Sequence, residues 1–447
     1  MKLWKAPTSG AINSALSIPG SKSLTNRYLI VAALGTQPLR INAPLHARDT
    51  ELMVEALRTL GLRVDDDGEA WIIYPATDGK NPAFSTGHID AGLAGTVMRF
   101  IPGLAAHAQG VVTIDGDEAA RVRPMGTVVN ALRDLGVRID APELNGQPVL
   151  PLTIHGAGQL AGGVVEIDAS ASSQFVSALL LSAPLMKNGL DLHHIGARVP
   201  STPHIRMTVE LLREAGITVS QYDAAGNEVF EGPAVRWVVQ PGRSQLTEVT
   251  VEADLSNAGP YMAAAMVTGG TVTIRNWPLK TTQPGDQLRN IFTAMGGHVS
   301  LAGTDPHVRD LTLHGPEELL SLDLDMADVG ELVPTVAAVC AFASGTSYLR
   351  NIGQLRGHET NRLAALVTEF AKLGVEAAEV GDDLVITPRG ELQSAVLASY
   401  EDHRMATFGA IIGLRVPGVE VENIETTAKT MPTFTKLWAL MLGQGRP

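Results

Sequence analysis

Cysteine is almost absent: Cys340 stands alone in 447 residues. A single thiol cannot close an intrachain disulfide, so a reducing, cytoplasmic setting is expected. No H-E-x-x-H pattern or Cys/His cluster offers a metal site. Cations are the minority, 34 Lys and Arg against 47 Asp and Glu, for a net charge of −13. A general nucleic-acid binder needs a basic surface, so that partner class is not expected. Long apolar runs are missing too. The longest, FVSALLLSAPLM from Phe175, is too short to span a bilayer, and the opening MKLWKAPTSG has no apolar stretch of a secretion signal. No membrane partner is expected. A G-x-x-x-x-G-K-[ST] phosphate loop is also lacking. GAGQLA at 156–161 fits only a loose dinucleotide pattern and precedes a strand-like VVEID, so it reads as a turn.

What is present is an ordinary globular composition, 45% hydrophobic and 18% charged, in a length that suits two or three domains. Five segments resemble one another: ALRTLGLRV, ALRDLGVRI, LLREAGITV, IFTAMGGHV and EFAKLGVEA. Each reads as an amphipathic helix end, a glycine and a strand. The glycines are Gly61, Gly136, Gly216, Gly296 and Gly374, spaced by 75, 80, 80 and 78 residues, with a sixth copy ending at Gly443. Glycine just past a helix supplies the left-handed residue that stops it. Between these lie six other helix starts: SKSLTNRYLIVAAL, AGTVMRFIPGLAA, SSQFVSALLLSA, SNAGPYMAAAMV, GELVPTVAAVCAFA and HRMATFGAIIGL. Six α/β units follow, three per domain. The crossings fall near Pro19–Gly20 and near Ser244–Val251. One domain then comprises 1–19 and 245–447, the other 20–244, with AINSALSIPG completing the sixth unit.

The helix starts carry more than caps require. A helix N-terminus attracts anions, and added Lys or Arg suits phosphate or carboxylate. PGSKSLTNR holds Lys22, Ser23 and Arg27; SASSQF holds Ser172, Ser173 and Gln174. RVRP holds Arg121 and Arg123, LRGHETNRL holds Arg356, His358, Glu359 and Arg362, and EDHRM holds His403 and Arg404. Lys429 stands in TTAKTMP. In an acidic chain such cations focus anionic ligands, so small anionic molecules are the expected partners. Cys340, in an apolar helix, reads as core, and His193-His194 as strand surface.

Taken together and in order, PGSKSLTNR, LAGTVMRF, RVRP, ASSQF, HETNRL and DHRM resemble the 5-enolpyruvylshikimate-3-phosphate synthase family over essentially the whole chain. The resemblance implies an inside-out α/β barrel of two domains, built from six βαβαββ repeats, with the active site in the cleft between them. It implies no metal and no organic cofactor. The reaction it implies moves the enolpyruvyl group of phosphoenolpyruvate to the 5-hydroxyl of shikimate 3-phosphate through a tetrahedral intermediate, releasing phosphate. By motif, Glu331, Lys22 and Glu359 would be catalytic. Lys22, Ser23, Arg27, Ser172, Ser173, Gln174, Ser201, Glu331 and His358 would hold shikimate 3-phosphate. Lys22, Gly95, Arg123, Gln174, Arg362, Arg404 and Lys429 would hold phosphoenolpyruvate; Arg99, Arg121, Arg356 and His403 are second choices for the cleft. A monomer is expected. The resemblance also implies that glyphosate occupies the phosphoenolpyruvate site, where Gly95 leaves room.

Several positions depart from the commonest family pattern. Glu331 stands where aspartate is frequent, and His358 where lysine is. Leu93 replaces an asparagine, which would lose a polar contact. These three are similar to an actinobacterial branch of the family. Asn361 replaces an aspartate, so Arg362 would be held less firmly, and His204 replaces a tyrosine. If His358 touches substrate, binding would weaken as it loses its proton near neutral pH. A UDP-N-acetylglucosamine enolpyruvyl transferase shares the expected fold but uses a loop cysteine, which this chain lacks. An RNA 3′-phosphate cyclase would need a nucleic-acid surface. A pure binding module would not place Glu331 and Glu359 beside bound anions.

Overall fold

The computed structural model describes residues 2–77, 82–230 and 232–444. The chain forms two compact α/β units, one from the residues up to Pro19 with those from Glu252 onward, the other Gly20–Val251. Each has its own buried apolar core. Residues 245–251 pack with Gly20–Ser244, because strand Glu248–Thr250 pairs with Arg40–Asn42.

Five four-stranded sheets repeat one pattern. An edge strand runs parallel to the second strand, and the second, third and fourth are antiparallel. Gly87–Asp90 beside Gln109–Asp115 is one such parallel pair, joined through the helix Gly95–Ala105. A parallel pair needs such a crossover. A further sheet has three strands: Val396–Leu397, Glu420–Glu422 and Leu3–Lys5. So Leu3–Lys5 joins this last sheet, whereas Asn13–Leu16, expected there, pairs with Thr271–Ile274 instead.

The two crossings exchange strands. Asn13–Leu16 precedes the helix Lys22–Ala33 yet lies beside a strand that follows the helix Leu255–Thr268. Glu248–Thr250 precedes that second helix yet lies beside the strand that follows the first. Each unit therefore takes one edge strand from chain beyond its own first inner helix.

The helices are of two kinds. Lys22–Ala33, Gly95–Ala105, Ser173–Ser182, Leu255–Thr268, Val333–Cys340 and His403–Gly413 are buried almost all round. Helices apolar on every side belong inside a core. The others, such as Arg48–Thr59 and Thr202–Glu214, bury one face only. After the outer helices Gly61, Gly136, Gly216, Gly296, Gly374 and Gly443 all take positive φ, so the repeated glycine marks a real left-handed stop. Asp254, not Ser256 or Asn257, caps Leu255–Thr268, accepting from Asn257 N at 2.9 Å. Cys340 is fully buried, and burial pushes its thiol up to about 12. No helix among the described residues is long and apolar enough to cross a membrane.

Candidate active site

In the unit Gly20–Val251 the expected residues sit at three inner-helix starts. Ser21 caps Lys22–Ala33, which leaves Lys22 and Ser23 in the open first turn. The Lys22 ammonium lies 3.2 Å from buried Asp49. Arg27, one turn further in, is 2% exposed. Its guanidinium donates to Thr208 Oγ1 (2.8 Å), the Ser23 carbonyl (3.0 Å), the His204 carbonyl (3.1 Å) and Ser177 Oγ (3.4 Å). None of these four partners carries charge. Burial pulls Arg27 down to about 9, still protonated at neutral pH. A buried cation without a counter-charge is costly, and an arriving anion would relieve it.

At the second start, Arg123 donates to the Leu93 carbonyl at 3.1 Å. The Leu93 side chain is buried in the core. A Cβ on Gly95 would lie 3.1 Å from Arg123 Nη2 and 3.3 Å from Gln174 Oε1. At the third start, Ser172 caps Ser173–Ser182 through Gln174 N, Ser173 is buried, and Gln174 Oε1 accepts from Arg99 at 2.5 Å. Ser201 stands before Thr202–Glu214 in the left-handed region, at φ 53, a conformation disfavoured outside glycine. Arg121 is paired with Asp115 through two hydrogen bonds of 2.9 and 2.6 Å and is half exposed.

In the other unit the centre is Arg362, 2% exposed, at the start of Arg362–Lys372. It donates to Asp402 Oδ2 (2.7 Å) and Oδ1 (3.2 Å), to Glu359 Oε2 (2.9 Å) and to His358 Nδ1 (3.0 Å). Burial works against its charge, but Asp402 and then Glu359 outweigh it and hold the guanidinium above its ordinary value. Lys429 Nζ lies 3.4 Å from Glu359 Oε1. Arg404 donates to the Ser256 carbonyl at 2.8 Å, and burial draws it below its ordinary value against the pull of Asp254. Glu331 lies in the short turn Gly330–Leu332, where its charge acts on both Arg362 and Arg404.

Two expectations change. Asn361 caps its helix through Ala364 N, and Arg362 is firmly held by Asp402 and Glu359 without an aspartate beside it. His358 Nδ1 lies 3.0 Å from Arg362 Nη1, one turn before it in the chain. Arg356 is committed to Glu379, Asp382 and the Gly381 carbonyl and is not part of the cluster. His403 is buried beside Asp402, 3.8 Å away, and lines a small pocket with Arg404, Thr430 and Met431. Asp402, Asp49, Ser177 and Thr208 complete the picture, and none was expected as a site residue. Asp402 sits one residue before a helix start, the signature of a cap, and it does cap Arg404 N at 2.8 Å.

Buried cations at or near helix starts in each unit, several with carboxylates beside them, mark an α/β protein that handles small anions. The family model for EPSP synthase (3-phosphoshikimate 1-carboxyvinyltransferase) matches residues 7–438. A relative from Kocuria rhizophila, named 3-phosphoshikimate 1-carboxyvinyltransferase, is 49% identical over 449 residues, covering 99% of this chain and 97% of the relative. The chain belongs to the EPSP synthase family. Its fold is shared by EPSP synthase from Acinetobacter baumannii, at TM-score 0.78 and 22% identity over 98% of each chain. It is also shared by the enolpyruvyl transferase NikO from Streptomyces tendae, at TM-score 0.71 and 17% identity over 97% of this chain and 96% of that one.

Proposed function

We infer that this chain transfers the enolpyruvyl group of phosphoenolpyruvate to the 5-hydroxyl of shikimate 3-phosphate and releases inorganic phosphate. The observation that carries this reading is Arg27, buried with only neutral partners. It sits in a chain that matches the family over residues 7–438. The UDP-N-acetylglucosamine reading is not favoured: Cys340, the only cysteine, is buried in a helix with its thiol pushed up.

The roles follow from charge and geometry. Glu331 takes the proton of the 5-hydroxyl as its oxygen attacks the central carbon of phosphoenolpyruvate. The terminal methylene gains a proton, giving a tetrahedral ketal phosphate. That intermediate then loses phosphate and a methyl proton to leave the enol ether. Lys22 and Glu359 serve the methylene proton. In the present geometry Glu359 is gripped by Arg362 and Lys429, so it accepts rather than donates. A substrate carboxylate that takes Arg362 from it would free it for proton transfer. Lys22, Ser23, Arg27, Ser172, Ser173, Gln174, Ser201 and His358 hold shikimate 3-phosphate. Lys22, Gly95, Arg123, Gln174, Arg362, Arg404 and Lys429 hold phosphoenolpyruvate and stabilise the charge that develops. The five four-stranded sheets, the three-stranded one and their buried helices support the six-repeat, inside-out barrel reading. We propose the protein as a monomer.

The test is phosphate release from phosphoenolpyruvate with and without shikimate 3-phosphate. Release that needs both substrates supports the reading. Release with UDP-N-acetylglucosamine instead keeps the fold and overturns the acceptor.

A further inference from the structure

We propose that Tyr400 and Glu369 clamp the left-handed turn Tyr400–Glu401 and so position Asp402, and through it Arg362 and Arg404, for the anionic substrate. This rests on the reading of those two arginines given above. Tyr400 and Glu401 both have φ 54, two consecutive left-handed residues with side chains. Crowding between Cβ and the carbonyl disfavours even one such residue, so a pair persists only where its surroundings hold it. Here the hold is visible. Tyr400 Oη donates to Glu369 Oε1 at 2.6 Å, Ala398 N donates to Glu369 Oε2 at 3.1 Å, and Asp402 N donates to the Ser399 carbonyl at 2.9 Å.

Glu369 is fully buried. Lys372 Nζ lies 2.9 Å from each of its oxygens and balances its charge. Glu369 belongs to the same helix as Arg362, two turns later, and so faces the same side. One helix therefore grips the turn at both ends. Its far end holds Tyr400 and Ala398, and its near end holds Asp402 through Arg362. Asp402 has no exposed surface, and its two oxygens serve three donors: Arg362 Nε, Arg362 Nη2 and Arg404 N. A carboxylate so fully engaged passes any shift of the turn to both arginines. Tyr400 and Glu369 are thus positioning residues; neither is assigned a contact with substrate.

The experiment compares steady-state kinetics and melting temperatures of Tyr400→Phe, Glu401→Val and Glu401→Gly. Arg404→Lys tests the site reading, and Ile386→Val in a neighbouring sheet is a purely structural control. Tyr400→Phe removes one hydroxyl, and valine resists the left-handed region that glycine accepts. Tyr400→Phe and Glu401→Val are expected to raise KM for phosphoenolpyruvate by about five- to tenfold, with KM for shikimate 3-phosphate within about twofold. Glu401→Gly is expected to keep both KM values. Ile386→Val is expected to lower the melting temperature alone. If Tyr400→Phe and Glu401→Val move only the melting temperature, or both KM values alike, while Arg404→Lys raises KM for phosphoenolpyruvate, the clamp is overturned and the site reading stands. If Arg404→Lys leaves that KM unchanged, the site reading fails, and the clamp fails with it.

Discussion

Glu331 and Gly95 carry the sharpest expectations for single residues. Glu331 lies in a tight turn with its charge felt by Arg362 and Arg404. Glu331→Gln keeps its size and removes its basicity, so turnover should fall on the order of 10²–10⁴-fold while phosphoenolpyruvate still binds. Phosphate release together with calorimetric binding checks this, and unchanged turnover would remove Glu331 from the mechanism. Gly95 is a matter of space. An added methyl would press on Arg123 Nη2 and Gln174 Oε1 at 3.1 and 3.3 Å, closer than most side-chain carbons approach. Gly95→Ala should therefore raise both KM for phosphoenolpyruvate and the inhibitory concentration of glyphosate. An inhibition curve that coincides with that of the parent protein would contradict this.

At the scale of elements, the inner helices bury every face, so their N-terminal turns are where polar chemistry gathers. Asp402 shows how one cap does two things: it starts a helix and pairs with Arg362. Asparagine caps about as well as aspartate but carries no charge. Asp402→Asn should thus keep the helix while leaving Arg362 under-compensated, at a loss of about 3 kcal/mol in urea unfolding and with a raised KM for phosphoenolpyruvate. A urea midpoint equal to that of the parent would show that Glu359 alone suffices. The helix starts and their terminal glycines were legible because both signals are local in the chain. The exchanged edge strands were not. A strand has a period of two whichever neighbour it pairs with, so Asn13–Leu16 was read into the wrong sheet. The partners of Arg27 were hidden for the same reason: Thr208 and Ser177 lie 181 and 150 residues away. Asp402 was visible as a letter in EDHRM, but its grip on Arg362 spans 40 residues, and no spacing rule reports that.

For the whole molecule, arginine partners set the acid side of stability. Hydrogen bonds from Arg121, Arg236 and Arg350 hold Asp115, Asp191 and Asp323 below the ordinary aspartate value of 3.8. Their folded values lie below their unfolded ones. Their stabilisation is therefore complete above that ordinary value and is lost as pH falls through the folded values. Glu214, raised by burial, acts in the opposite sense and loses its contribution as pH rises. Unfolding midpoints between pH 7 and pH 3 should thus decline at the acid end, and Arg236→Gln should soften that decline; superimposable acid limbs would refute it. The exchange of strands between the crossings has a different consequence, one that concerns synthesis on the ribosome. Asn13–Leu16 is made early, but its partner Thr271–Ile274 emerges only after Gly20–Val251 is complete. Arg40–Asn42 likewise waits for Glu248–Thr250. Through most of its translation the nascent chain therefore carries an unpaired strand before the first crossing and, after it, an open edge on a strand whose other edge pairs with Ala70–Ile73. Unpaired strands invite wrong partners. During translation these are the segments that a holding chaperone would be expected to cover.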